Sequence, residues 1–352
     1  MPKKRILFVV TVVLALLLAF FLAYRRWGSR DFLAERESML SLLPEDASAV
    51  VYIDLAQMRS SPFLMQLLRS APKPPLDNDY ARFLQATGFN YESDLDRLAV
   101  AVNRQSEGST AFAVADGRFD RKKIAAYASG YGSLKTASGR TLFSVPLNGP
   151  NRKAYFTFLS NDRIAWANDS SYFFQQPREG SRTEWREHFS RLAGAAVFAV
   201  LRQDSGVAAA LAQVPGGLRS PQLATLLAEL QWISIGAKPE ENLLRVSVEG
   251  ECMEENTQHQ LKDLLSGLVV LAQMGLNDPK TRKQLDPTVE EGYAELLQSA
   301  DIQQTDRGKS KSVRVVFDVT PKLLEAAGSS TQGADAATAR HQGAQQRIPS
   351  QP

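Results

Sequence analysis

The longest apolar run of the chain comes first. Ile6 to Tyr24, ILFVVTVVLALLLAFFLAY, holds no charged residue. As a helix rising about 1.5 Å per residue it would measure roughly 28 Å, close to the hydrocarbon thickness of a bilayer. Lys3, Lys4 and Arg5 precede it; Arg25, Arg26 and Trp27 follow, residue types suited to the headgroup layer. The pattern predicts a transmembrane anchor over 6–24 behind a cytoplasmic tail of residues 1–5. The alternative is a cleaved signal peptide. Those have apolar cores of about 7–15 residues and a small-x-small cleavage site. Here the core is longer, Phe21 stands two positions before Ala23, and Arg26 two before Gly28. No cysteine lies near for lipoprotein-type cleavage. Basic residues on both sides leave little positive-inside contrast, and a short inner tail with an exported body is the simplest arrangement. The expected location is a single-pass membrane protein of the bacterial inner membrane, facing the periplasm.

Beyond the anchor the period of the pattern changes. Residues 25–43 read as a connector, with Phe32, Leu33, Leu40 and Leu43 at helical spacing before Pro44. Then short apolar runs typical of buried strands appear twice in the same order. AVVYI (49–53) returns as AVFAV (196–200), LAVAV (98–102) as WISIG (232–236), and AVADG (113–117) as VSVEG (246–250). Helical stretches follow the first run of each set, SPFLMQLL from Ser61 and GVAAALAQV from Gly206, with further helices over Tyr80–Thr87 and Ser220–Leu230. A helix is expected after each acid-glycine pair, Asp120–Ser129 and Asn256–Met274. Strands close each half: RTLFSVP, KAYFTFLS and RIAWAND in one, DIQQTD and SVRVVFDV in the other.

This order predicts an α+β fold: the N-terminal transmembrane helix, then two tandem ferredoxin-like (β-α-β-β-α-β) subdomains with antiparallel sheets. The first spans 44–176 and the second 192–322, joined by a linker over 177–191. A single larger mixed sheet is the rival. Residues 323–352, rich in Ala, Gln, Ser, Gly and Thr, lack the apolar groups to offset ordering entropy and are expected to form a disordered tail.

Charge changes the picture once it is divided. The chain is +3 with 41 basic and 38 acidic residues, but residues 1–30 hold Lys3, Lys4, Arg5, Arg25, Arg26 and Arg30 and no acid. The remainder is 35 against 38, or −3. A near-neutral body gives no electrostatic footprint for nucleic acid. The lone Cys252 permits no internal disulfide, and without a partner histidine it reads as a partly buried thiol.

No constellation assembles into chemistry. Asp116 and Asp120 flank Gly117, but a calcium loop starting at Asp116 would need ligands where Arg118 and Tyr127 stand and a glycine where Arg121 stands. The structural reading assigns Gly117 a positive φ after the strand, Asp120 the helix N-cap, and Phe119 with Ile124 a hydrophobic staple. Gly308-Lys309-Ser310 lacks the glycine of a phosphate loop, Gln303 standing in its place, and reads as a hairpin turn. His188, His259 and His341 are far apart; Glu255 and His259 share a helix face but make only two ligands. Glu92, Asp94 and Asp96 read as a hydrated loop. Leu261–Leu276 is a Leu-rich helix whose spacing suits a core and could also line a lipid cavity. No catalytic, cofactor-binding or metal residue is assigned, and no cofactor is expected.

One stretch carries a resemblance. Leu43, Pro44, Glu45, Asp46 and Ala47, opening LLPEDASAVVYIDL, resemble the Leu-Pro-x-Asp-Ala start of the exported part in uncharacterised bacterial membrane-anchored proteins. The resemblance covers the anchor and about the first half, and implies no activity. The expected function is a non-catalytic binding or scaffold module at the cell envelope. It meets the bilayer through 6–24 and envelope proteins through its surface. The alternative is a binder of an apolar ligand or lipid between the Leu-rich helix and the sheet, with an envelope hydrolase as the remaining class.

Overall fold

The computed structural model describes residues 34–65, 78–105, 108–137, 140–147, 152–174, 182–203, 221–279, 285–307 and 310–323. The predicted anchor 6–24, the tail 1–5, the helix from Gly206 and residues 324–352 of the predicted C-terminal tail lie outside these. The chain divides into two compact units, Met1–Leu43 and Pro44–Pro352. In the first, residues 34–40 are helical.

The second unit is organised by one sheet of 12 strands. In chain order they are β1 (Ala49–Asp54), β2 (Leu95–Gln105), β3 (Gly108–Gly117), β4 (Ser133–Ala137), β5 (Arg140–Pro146), β6 (Lys153–Phe158), β7 (Arg163–Ala167), β8 (Val197–Arg202), β9 (Trp232–Glu240), β10 (Leu243–Cys252), β11 (Asp301–Arg307) and β12 (Ser310–Val319). The order across the sheet is β11-β12-β10-β9-β8-β1-β2-β3-β7-β6-β5-β4. Every neighbouring pair is antiparallel.

The expected pair of ferredoxin-like sheets is therefore corrected. A split β-α-β unit runs its first two strands parallel with a later strand inserted between them; here β1 pairs directly with β2, and β8 with β9, both antiparallel, and all strands share one sheet. The opening strands of the two halves, β1 and β8, pair with each other, Val50 opposite Val200 and Tyr52 opposite Phe198. In two separate sheets each would be a flat apolar edge open to aggregation; pairing them removes both edges. The strand order still repeats outward from this pair: β1-β2-β3-β7 on one side, β8-β9-β10-β12 on the other.

Among the described residues the helices of six residues or more in this unit are α1 (Leu55–Ser60), α2 (Asn78–Thr87), α3 (Arg121–Tyr131), α4 (Arg182–Arg191), α5 (Pro221–Ala228), α6 (Glu255–Asn277) and α7 (Pro287–Ser299), with single turns at Tyr91–Asp94 and Ser170–Phe173. α4 forms inside the stretch read as a linker. On one face of the sheet Val50, Tyr52, Phe198 and Val200 are buried, Tyr52 stacks on Phe198 at 5.0 Å, and Phe189 of α4 lies 5.6 Å from Phe198. On the other, Leu223, Leu226 and Leu230 in and just after α5 and Leu261 of α6 close a core over Cys252 and Val313.

The Asp116–Asp120 stretch is architecture, with one revision. Asp120 caps α3, accepting from Lys123 N at 3.1 Å. Gly117, however, has no positive φ; among the described glycines those that do are Gly88, Gly108 and Gly194. It is the last residue of β3, where a Cβ would lie 2.2 Å from the Asp94 carbonyl oxygen. That oxygen accepts from Arg118 N at 2.7 Å and cannot retreat freely. Asp120→Ala is expected to cost about 1 kcal/mol and Asp120→Ser to recover most of it. Gly117→Ala is expected to cost more, about 2–3 kcal/mol, through overpacking. Denaturant unfolding of the three variants checks the ranking; an equal loss for Gly117→Ala and Asp120→Ala would contradict the close approach.

Candidate functional site

The first half encloses a partly open cavity of ≈340 Å³ between α2, α3 and the strands β5, β6 and β7. Its walls follow from local sequence. α2 presents Asp79 and Tyr80 and, one helical turn on, Phe83. Gly88, at φ +70°, donates its N–H to Leu84 O and ends the helix, turning the chain so that Phe89 joins the wall. Phe119 and Ile124, on either side of the Asp120 cap, line it, as does Tyr127 one turn on. The sheet supplies Val145, Ala154, Phe156, Ile164 and Trp166; Phe156 and Trp166 are cross-strand partners.

The lining is aromatic and mutually supported. Phe83 meets Tyr127 edge-on at 5.5 Å, Phe89 stacks on Phe119 at 5.7 Å, and Phe156 stacks on Phe143 at 4.8 Å. Such contacts fix the rings without a ligand. Charge is nearly absent. Asp79 is the sole charged lining residue, and its carboxylate is paired with Arg82. Burial pushes the phenols of Tyr80 and Tyr127 above their ordinary range, so both stay neutral at physiological pH. The cavity therefore suits an uncharged, apolar occupant.

The two halves differ here. α6 follows β10 as α3 follows β3, but the Leu-rich helix seats Leu261 against Leu223, Leu226 and Leu230 in a closed core. The apolar cavity lies in the first half, away from the helix expected to line it.

The other sequence candidates go to stability. Asp116 is held by Arg163 through two hydrogen bonds of 2.6 and 2.8 Å, with Arg97 at 3.9 Å. Glu249, its counterpart in the second half, accepts from Ser312 Oγ at 2.9 Å and pairs with Arg307 at 2.8 Å. Asp96 pairs with Arg59 and Arg118, and Asp94 accepts from Asn90 N at 2.8 Å. The Cys252 thiol is buried, donates toward the Glu254 and Lys311 carbonyls, and is pushed up by burial. His188 stacks over Trp232 at 4.3 Å with Nδ1 3.3 Å from Glu251, while Arg191 pairs with the same carboxylate. Burial alone would raise Glu251; His188 and Arg191 outweigh it and hold the carboxyl below the usual range. His259 Nδ1 meets the Glu255 carbonyl of its own helix at 2.8 Å, and His341 lies outside the described residues. Arg307 and Ser310 face each other across the β11–β12 hairpin. Among the described residues no group of three or more His, Cys, Asp or Glu side chains could hold a metal ion.

No protein-family model matches the chain, and no curated protein matches it. Solved structures do. Crystal forms III and IV of TP0453 match at TM-scores of 0.41 and 0.42 with 9% identity, covering 83% of this chain and 98% and 96% of theirs. Crystal form I of the same protein matches at 0.39 with the same identity. No residue role is carried over from them.

Proposed function

We propose that the chain is a membrane-tethered module of the cell envelope that holds an uncharged apolar molecule in the cavity between α2, α3 and β5–β7, and that it performs no chemistry on it. The observation that supports this is the cavity itself. Its partly open space of ≈340 Å³ is lined almost wholly by aromatic and aliphatic side chains, so water in it finds few hydrogen-bond partners, and an apolar ligand that displaces this water gains where a polar one does not.

The tether is the sequence Ile6–Tyr24, with the body on the extracytoplasmic side. A reporter active only outside the cytoplasm, fused after Val319, is expected to give signal in the membrane fraction. Signal from a cytoplasmic reporter alone would reverse the orientation, and a soluble shortened product would mean that the segment is removed.

Ligand binding is tested with an uncharged naphthylamine dye on the full chain in lipid nanodiscs. Saturable binding with energy transfer from Trp166, lost in Trp166→Phe, is expected. Dye uptake that never saturates, or that is indifferent to Trp166, would count against the cavity.

A further inference from the structure

α6 has a second property. Its inner side packs on the core through Leu261, Leu264, Leu265 and Leu268. Its outer side changes character along the helix. The first exposed positions are Glu255, Asn256, His259, Gln260 and Asp263. After Gly267 the exposed positions of the helix are Val270 at 52%, Leu271 at 64%, Ala272, Met274 at 64%, Gly275 and, at its end, Asn277. From Leu264 to Asn277 there is no charged residue at all. On the neighbouring α7, Tyr293 is 45% exposed, one turn before Leu297, whose carbonyl accepts from Gln273 of α6 at 3.1 Å.

We propose that this end of α6 docks onto the lipid surface to which the chain is tethered, with Val270, Leu271 and Met274 in the acyl boundary and Tyr293 at headgroup level. The proposal rests on the membrane-tethered reading above. Four considerations favour lipid over another occupant. The charge-free stretch is 14 residues, about 21 Å of helix, too short to span roughly 30 Å of hydrocarbon but long enough to lie in the interface. No described helix is long and apolar enough to cross a membrane. The four apolar side chains fall far short of the roughly 20–30 residues a side of a stable protein interface, whereas a bilayer accepts them singly. Finally, the 19 residues 25–43 separate the predicted anchor 6–24 from the body that begins at Pro44, at most about 68 Å of chain, so a tethered body meets the bilayer at high effective concentration.

The test uses the full chain in phosphatidylcholine vesicles with and without brominated acyl chains. Cys252 is buried, so a thiol-reactive fluorophore reports from an introduced cysteine, Leu271→Cys on the apolar end or His259→Cys on the polar end of the same helix. Labelled wild-type chain sets the background. Quenching by bromolipid is expected to be about twofold or more greater at Leu271→Cys than at His259→Cys. Equal quenching in vesicles that carry the chain on flotation would overturn the docking and leave the tether standing. Self-quenching at Leu271→Cys without lipid quenching would assign the face to a second copy. A chain that does not float with the vesicles would overturn docking and tether together.

Discussion

Ala154→Trp is expected to abolish saturable binding of the naphthylamine dye while leaving the fold intact. Ala154 sits on β6 in the floor of the cavity, opposite Val145. An indole there projects into the ≈340 Å³ space rather than into a packed core. Affinity should fall at least about tenfold, or 1.4 kcal/mol. Stability should stay within about 1 kcal/mol or rise, as cavity-filling substitutions often do. Ile164→Phe, entering from β7, should weaken binding to a smaller degree. Dye titration and denaturant unfolding of the same samples separate the two effects. Unchanged affinity in a folded Ala154→Trp variant would place the dye elsewhere.

The largest loss of stability is expected from Asp54→Ala. This carboxylate ends β1 and is 0% exposed. It accepts from Gln57 N at 2.6 Å as the N-cap of α1, from Tyr52 Oη at 3.2 Å, and from Arg97 Nε at 3.2 Å. Removing one partner of a buried ion pair strands the other, which costs about 3–5 kcal/mol, and the cap is lost with it. Asp54→Asn keeps the capping oxygen but not the charge, and should fall between wild type and alanine. Chemical denaturation of the full chain measures all three. A loss for Asp54→Ala no larger than the cap's ~1 kcal/mol would mean that the ion pair with Arg97 contributes little.

Most strands can be read from the sequence because they are short apolar or alternating runs bounded by Gly, Pro or charged turns. The repeat of acid-glycine towards the end of the third strand of each half is also legible, and Asp116 and Glu249 occupy matching register positions opposite Arg163 and Arg314. What cannot be read locally is which strands share an edge. AVVYI and AVFAV look the same whether they begin two sheets or meet at the centre of one. That choice is made by the gain from covering two edges at once. The helix Arg182–Arg191 is hidden for a different reason: it is strongly charged, and only Trp185, His188 and Phe189 mark its inner side. β4 is short and entirely polar but for Leu134 and Ala137.

The cavity is legible only in part. Phe119, Ile124 and Tyr127 stand out as a staple and a helix face, yet their partners Phe83, Phe156 and Trp166 are tens of residues away in sequence. No spacing rule joins residues brought together by a sheet and two helices. The Leu-rich helix misleads because periodicity reports that a side is apolar, not whether the space beneath it is full. Leu223, Leu226 and Leu230 fill that space in the second half. In the first half the rings of α2 and α3 stand away from β6, and the space stays open.

The most direct measurement is native mass spectrometry of the full chain taken from its own membranes, wild type beside Ala154→Trp. A single molecule of low polarity held at one per chain by the wild type and missing from Ala154→Trp is the predicted result. Bare wild-type chain, or an adduct equally present on both, would contradict the cavity as the protein's binding site.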